Sequence, residues 1–337
     1  MIILGIESSC DECAAAVVEN GKKILSNIIY SQITYHQPFY GVVPEIASRK
    51  HLETIEPVVA AAISESGVAM EDLDGLAVTY RPGLIGSLLV GLSYAKGLAM
   101  SLKKPFIGID HILAHLYASH LEYDLSYPYL GLLASGGHTL IALVHGFEKF
   151  EVLGTTIDDA CGEAFDKVAK YYDLGFPGGA AIDRLAVKGD ARAFNFPKPS
   201  LHKGDHLFDV SYSGLKTAVV NQLDKFWNRD YEKSKENIAA SFQRIAIDML
   251  VDRVLKASSA TGLKTVVAGG GVAANSYLRK RLSEETDLEV IFPSIKLCTD
   301  NAAMIAGLGY HFLSQGRESD LNLNAQARVP GFRRGYP

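Results

Sequence analysis

Apolar runs broken by small-polar turns recur in the same order at two places along the chain. Ile2-Ile3-Leu4-Gly5-Ile6-Glu7 leads into the turn Ser8-Ser9-Cys10-Asp11-Glu12, the apolar run 14–18, a turn at Asn20-Gly21, and Lys22-Lys23-Ile24-Leu25. The run 129–133 leads into Ala134-Ser135-Gly136-Gly137-His138, the apolar run 140–144, a turn at His145-Gly146, and the run 150–153. Each copy predicts strand, tight turn, strand, turn, strand. Asn20-Gly21 carries a hairpin signal because both residues tolerate positive φ. After each copy the pattern changes to apolar helices alternating with short buried strands. The first set predicts a helix over 43–66 with Pro57 inside it, a strand over 75–79, a helix over 86–102, a strand over 105–110 and a helix over 111–121. The second predicts helices over 158–172 and 234–260, then a strand over 265–268 entering Gly269-Gly270-Gly271. A helix from Asn275, a strand over 288–292 and a last helix over 300–315 follow. The stretch 175–213, rich in Gly, Pro and polar residues, reads as loops over a cleft. This pattern implies an α/β protein of two similar lobes, with mixed sheets flanked by helices around a central cleft. Residues 1–126 form the N-terminal lobe and 127–337 the C-terminal lobe, whose last helices close back on the first.

The 337 residues suffice for two domains, and an apolar fraction of 48% with 21% charged residues is that of a globular protein. No uninterrupted apolar run reaches the ~20 residues that span a bilayer, and the N-terminus reads as a strand rather than a signal peptide, so neither a membrane nor export is expected. The net charge of −5 argues against a protein that grips nucleic acid by its overall field, and leaves room for a local basic strip. The basic stretches 198–203, Arg279-Lys280-Arg281 and 328–334 read first as solvated faces. Cys10 and Cys13 form a CxxC without a second half, which reads as small residues in a turn and strand entry; a reducing cytoplasm fits.

In His111-Ile112-Leu113-Ala114-His115 two histidines stand four residues apart right after a predicted strand. That spacing puts both imidazoles on one helix face, able to share a metal ion. Ile112 stands where a zinc peptidase carries its glutamate base, which speaks against peptide cleavage. The third ligand is sought in Cys298-Thr299-Asp300-Asn301, where Asp300 also reads as a helix N-cap. His120 lies about half a turn round from the pair and reads as surface. His36, His51, His202, His206 and His311 read as structural or solvent-facing. The turn Ser135-Gly136-Gly137-His138 can present backbone amides to a phosphate, and His138 at its end could touch that phosphate or the ion. Asp11 and Glu12, in the corresponding first turn, would instead position a metal, a water or an incoming amine. The glycine loop 267–275 has room for a flat adenine ring.

Together these segments, with Gly5 to Glu12, Ile157 to Lys167, Pro177-Gly178-Gly179, Ser213-Gly214-Leu215-Lys216-Thr217 and Cys298 to Ala306, resemble the TsaD family of tRNA threonylcarbamoyl-adenosine transferases, once called O-sialoglycoprotein endopeptidases. The resemblance runs from Met1 to about residue 330. It implies the duplicated actin-like fold of the actin, sugar-kinase and heat-shock ATPase (ASKHA) superfamily. It implies transfer of a threonylcarbamoyl group from threonylcarbamoyl-adenylate to the exocyclic amine of adenosine 37, in tRNAs reading codons that begin with A, with release of AMP. It implies that His111, His115 and Asp300 bind one divalent ion per chain, iron or zinc. Leu133, Ala134, Ser135, Gly136, Gly137, Asp166, Gly179, Asp183 and Asn275 would line the adenylate pocket. Glu12 or Asp11 would take the amine proton or help place the ion, and His138 is a further candidate for the chemistry. Helper proteins of the TsaB and TsaE type are implied partners beside tRNA. Two departures stand out. Arg81-Pro82-Gly83-Leu84 replaces the family's Gly-Pro-Gly-Leu, so that Arg81 adds a phosphate or tRNA contact or sits in solvent. Cys13 replaces a threonine. Rival readings are a metal-dependent peptidase, an ASKHA-type ATPase and a nucleotide-binding scaffold without activity; both histidines and Asp300 speak against the last.

Overall fold

The structure, a computed structural model, describes residues 1–199, 201 and 206–329. His202, Lys203 and the tail arginines Arg333 and Arg334 therefore lie outside the described residues. In chain order the main elements are β1 (Ile2–Glu7), β2 (Glu12–Glu19), β3 (Lys23–Ser31), α1 (Pro44–Ser66), β4 (Gly75–Arg81), α2 (Ile85–Leu102), β5 (Phe106–Asp110) and α3 (His111–Tyr117). They continue with β6 (Tyr129–Ala134), β7 (Thr139–Val144), β8 (Phe150–Thr155), α4 (Cys161–Tyr171), α5 (Gly178–Ala186), α6 (Ser213–Asn221) and α7 (Lys235–Thr261). β9 (Thr265–Gly269), α8 (Ser276–Ser283), β10 (Glu289–Ile291) and α9 (Ala302–Leu313) complete the chain. Two compact units result: Met1–Ser126 joined by the segment from Pro293, and Tyr127–Phe292.

Each unit holds one five-stranded sheet, and the two orders are the same: β3-β2-β1-β4-β5 and β8-β7-β6-β9-β10. In both, a three-stranded antiparallel meander is extended by two parallel strands. The central strands are buried on both faces and read as unbroken apolar runs. In the first unit β1, β2 and β4 meet α1 and α2 in a core of Leu4, Ile6, Val17, Ile55, Val59, Leu76, Val78, Leu92 and Ala95. α2 is the one helix among the described residues long and apolar enough to cross a membrane, by length and composition alone. Here it buries Leu88, Leu92, Ala95 and Ala99 within its unit.

α9 lies directly on β1. A methyl group on Gly5 would fall 2.3 Å from the Ala302 carbonyl oxygen and 2.7 Å from the Ala306 nitrogen. Glycine facing alanines thus brings helix backbone onto strand backbone, and carries the start of α9 to the unit that holds α3.

Two predicted elements differ. The stretch 175–213 is not all loop, because it contains α5. Its start is capped from afar: the Gly178 amide donates to Asp166 Oδ1 at 2.7 Å, a partner no local pattern shows. The helix predicted from 158 begins only at Cys161. Asp158 is engaged instead as acceptor for the Tyr212 and Ser213 amides.

Candidate metal centre and glycine turn

α3 starts immediately after β5, and Asp110 caps it, its Oδ1 accepting from the amides of Ile112 (2.9 Å) and Leu113 (3.3 Å). His111 and His115, on the buried face of this helix, meet edge to face with ring centroids 4.5 Å apart. Asp300 Oδ1 sits 3.1 Å from His115 Nε2 and 3.5 Å from His111 Nε2. One donor atom from each of the three residues lies within 4.8 Å of the others. Asp300 does not cap the last helix. Asn301 does, its Oδ1 accepting from the Met304 amide at 3.1 Å.

Behind His111 lies a buried carboxylate. Glu7 is 0% exposed. Its Oε1 accepts from the Ser9 amide at 2.6 Å, and its Oε2 accepts from Thr79 Oγ1 at 2.5 Å and lies 3.1 Å from His111 Nδ1. Ser9 Oγ is 3.2 Å from the same Nδ1. Burial alone would drive the His111 imidazolium down, but the carboxylates of Asp300 and Glu7 outweigh it and hold it up at about 9. Burial and then the neighbouring His111 push His115 the other way. His115 Nδ1 is buried without a hydrogen-bond partner. Two imidazole nitrogens and a carboxylate oxygen drawn together in a buried, carboxylate-backed group form the donor set of a divalent transition metal with open coordination positions, so the residues fit such an ion.

Asp11 and Glu12 follow in the same unit. Burial, then Asp11, Asp300 and Glu7, raise the Glu12 carboxyl well above the ordinary carboxylate range. Cys10 and Cys13 are not a thiolate pair. Burial and the surrounding acids raise Cys10, and burial lifts Cys13 to about 11. Arg81 does not simply sit in solvent: its Nε donates to Asp110 Oδ2 at 3.0 Å, at the start of the helix that carries the histidines, and its Nη1 lies 3.5 Å from Gln326 Oε1.

The second unit assembles the glycine turn. The Ser135 amide donates to the His138 carbonyl at 2.7 Å and the His138 amide to Ser135 Oγ at 3.1 Å, which closes the loop around exposed Gly136 and Gly137. A side chain on either glycine, or on Gly179 or Gly271, would meet nothing within 4 Å. Leu133 (0% exposed) and Ala134 (1%) are buried in β6, so they deliver this turn and add no side chain to its surface. Contacts then run in a ring. Gly162 of α4 donates to Ser135 at 3.1 Å, Asp166 of α4 caps α5, and Asp183 of α5 accepts from the Ser276 amide (3.0 Å) and Oγ (2.7 Å). Asn275 Nδ2 donates to Gln243 Oε1 (2.9 Å) and Asp183 Oδ1 (3.3 Å) while its Oδ1 caps α8. Gly270, at φ +84°, closes the ring against Ala134. The Asn275 side chain is thus spent on orienting Asp183 and capping α8. His138 stays in the turn and is no member of the three-residue cluster. A separate cavity of about 490 Å³ between α8 and β10 holds none of these positions.

The sequence profile described as TsaD, tRNA N6-adenosine threonylcarbamoyltransferase, matches residues 23–307. The chain belongs to the TsaD family. A relative of that name from Treponema denticola is 64% identical over 332 residues, covering 98% of each chain. One from Treponema pallidum is 53% identical, covering 98% of this chain and 94% of its own. One from Borreliella burgdorferi is 50% identical, covering 100% and 96%. Among solved structures, HypF of T. kodakarensis aligns with a TM-score of 0.63 at 16% identity over 96% of this chain and 49% of that one. Component A of the (R)-2-hydroxyglutaryl-CoA dehydratase of Acidaminococcus fermentans aligns with a TM-score of 0.55 at 16% identity, over 92% and 98%. At such identities these show the fold alone: the duplicated actin-like α/β fold of the two matching sheets.

Sequence reasoning passed over Glu7, Thr79 and Gln243. For Glu7 a signal exists, since it is a charge closing an otherwise apolar central strand. For Gln243, one polar residue inside the long α7, none does.

Proposed function

We propose that this transferase moves a threonylcarbamoyl group from threonylcarbamoyl-adenylate to N6 of adenosine 37, in tRNAs reading codons that begin with A, and releases AMP. The new bond joins N6 to the carbamoyl carbon. The bond from that carbon to the phosphate oxygen breaks with its electron pair leaving on AMP, and N6 gives up a proton. The observation that carries the reading is the convergence of His111, His115 and Asp300 in a chain of this family. These three would hold one iron or zinc ion, which when bound would polarise an oxygen of the donor group or its phosphate. The amides of Gly136 and Gly137, at the exposed tip of the glycine turn, are suited to the negative charge of a phosphate. Asp183, aligned by Ser276 and Asn275, would anchor the nucleoside part with Gly179 and Asp166. Glu12, lifted by burial and then by its acidic neighbours, would accept the N6 proton in its ionised form, with Asp11 beside it. Adenosine 37 must leave its anticodon-loop stack to react. An acidic chain suits a tRNA surface completed by helper proteins of the TsaB and TsaE type, and a tRNA substrate with four cysteines in no disulfide fits the cytoplasm.

The test combines the chain with threonylcarbamoyl-adenylate, unmodified tRNA and helper proteins, then weighs the nucleosides. The reading expects modified adenosine and one AMP per transfer. It also expects His115→Ala to lose bound metal and to slow transfer by roughly 100-fold or more, since such an ion is worth several kcal/mol. Full metal content and full transfer in that variant would overturn it.

A further inference from the structure

We infer that Glu7 is the positioning residue of the metal centre: it fixes His111, through Nδ1, so that Nε2 faces Asp300 and His115. The inference rests on the metal reading above.

Three donors converge on this one carboxylate: the Ser9 amide, the Thr79 hydroxyl and His111 Nδ1. An ionised carboxylate accepts hydrogen bonds and donates none, so the proton between Glu7 and His111 belongs to Nδ1. Once that nitrogen carries the proton, the lone pair of the neutral ring is on Nε2, the atom 3.5 Å from Asp300 Oδ1. A carboxylate behind a ligating imidazole holds both tautomer and ring plane, and losing such a partner typically weakens metal binding about 10–100-fold. His115 has no equivalent, because its Nδ1 is buried without a partner. The two ligands are therefore unequal, with His111 held from behind through Nδ1 and His115 without such a partner on its own Nδ1. Glu7 itself is clamped: Thr79 lies on β4, the Ser9 amide in the turn after β1, and at 0% exposure no water competes. A buried charge so fully satisfied is costly to keep for packing alone, since an apolar residue of similar size would fill the place.

The test is zinc affinity by chelator competition, in the full-length chain, for wild type and Glu7→Gln. Glutamine keeps the shape and an acceptor oxygen but loses the charge. The inference expects a 10–100-fold weaker zinc complex, a shifted visible spectrum when Co²⁺ replaces zinc, and a metal-free circular dichroism spectrum like that of wild type. Affinity within twofold of wild type with an unchanged Co²⁺ spectrum would overturn it. Should the variant not fold, nitrogen-15 NMR of zinc-loaded wild type decides. A slowly exchanging His111 Nδ1 proton is expected, and rapid exchange of that proton would overturn the inference while leaving the metal reading standing. No zinc bound by wild type would overturn both.

Discussion

His120 shows how much packing alters one side chain. Its spacing from the histidine pair suggests surface, yet the ring stacks on Tyr117 at 5.2 Å, 10° from parallel. Burial, then His311 and Lys22, push its imidazolium down to about 4. The unfolded chain binds this proton below about 6.5 and the folded chain does not. The contribution is therefore intact above pH 6.5, lost progressively as pH falls toward about 4, and unchanged below that. We expect the urea midpoint to fall between pH 7 and pH 4.5, and to fall less in His120→Asn; equal slopes would contradict this. The same contrast runs through the site. The four-residue spacing of His111 and His115 was legible because helix geometry alone sets it. The Glu7 contact was not, because it joins residues 104 apart.

Among the elements, α9 on β1 matters most to the site. Ala302, two residues after Asp300, lies against Gly5, and the two nearest atoms a Cβ there would strike are backbone and cannot rotate away. Gly5→Ala should cost about 1–3 kcal/mol and shift the start of α9, and so Asp300, away from the histidines. A melting temperature and zinc affinity both equal to wild type would refute that packing account. Element boundaries tell a similar story. The sequence offers Asp300 as the cap, and the structure uses its neighbour Asn301. It hides α5 because glycines open that helix and its cap comes from Asp166, twelve residues upstream. Strands and hairpins were legible because apolar runs and Asn20-Gly21 act locally. Caps supplied by distant residues leave no local trace.

Over the whole molecule, the duplication was readable because each copy repeats the same order of apolar runs and turns, and the matching sheet orders follow from it. The segment from Pro293 joins the unit of Met1–Ser126, so a ligand near residue 300 meets two near residue 113. No fragment ending at Ser126 contains all three. The direct test of the central claim is X-ray absorption at the metal edge of the purified full-length chain. The account predicts one ion per chain with only nitrogen and oxygen neighbours at about 2.0–2.2 Å, two of them imidazole. An ion with sulfur at about 2.3 Å, or an imidazole signature unchanged in His115→Ala, would contradict it.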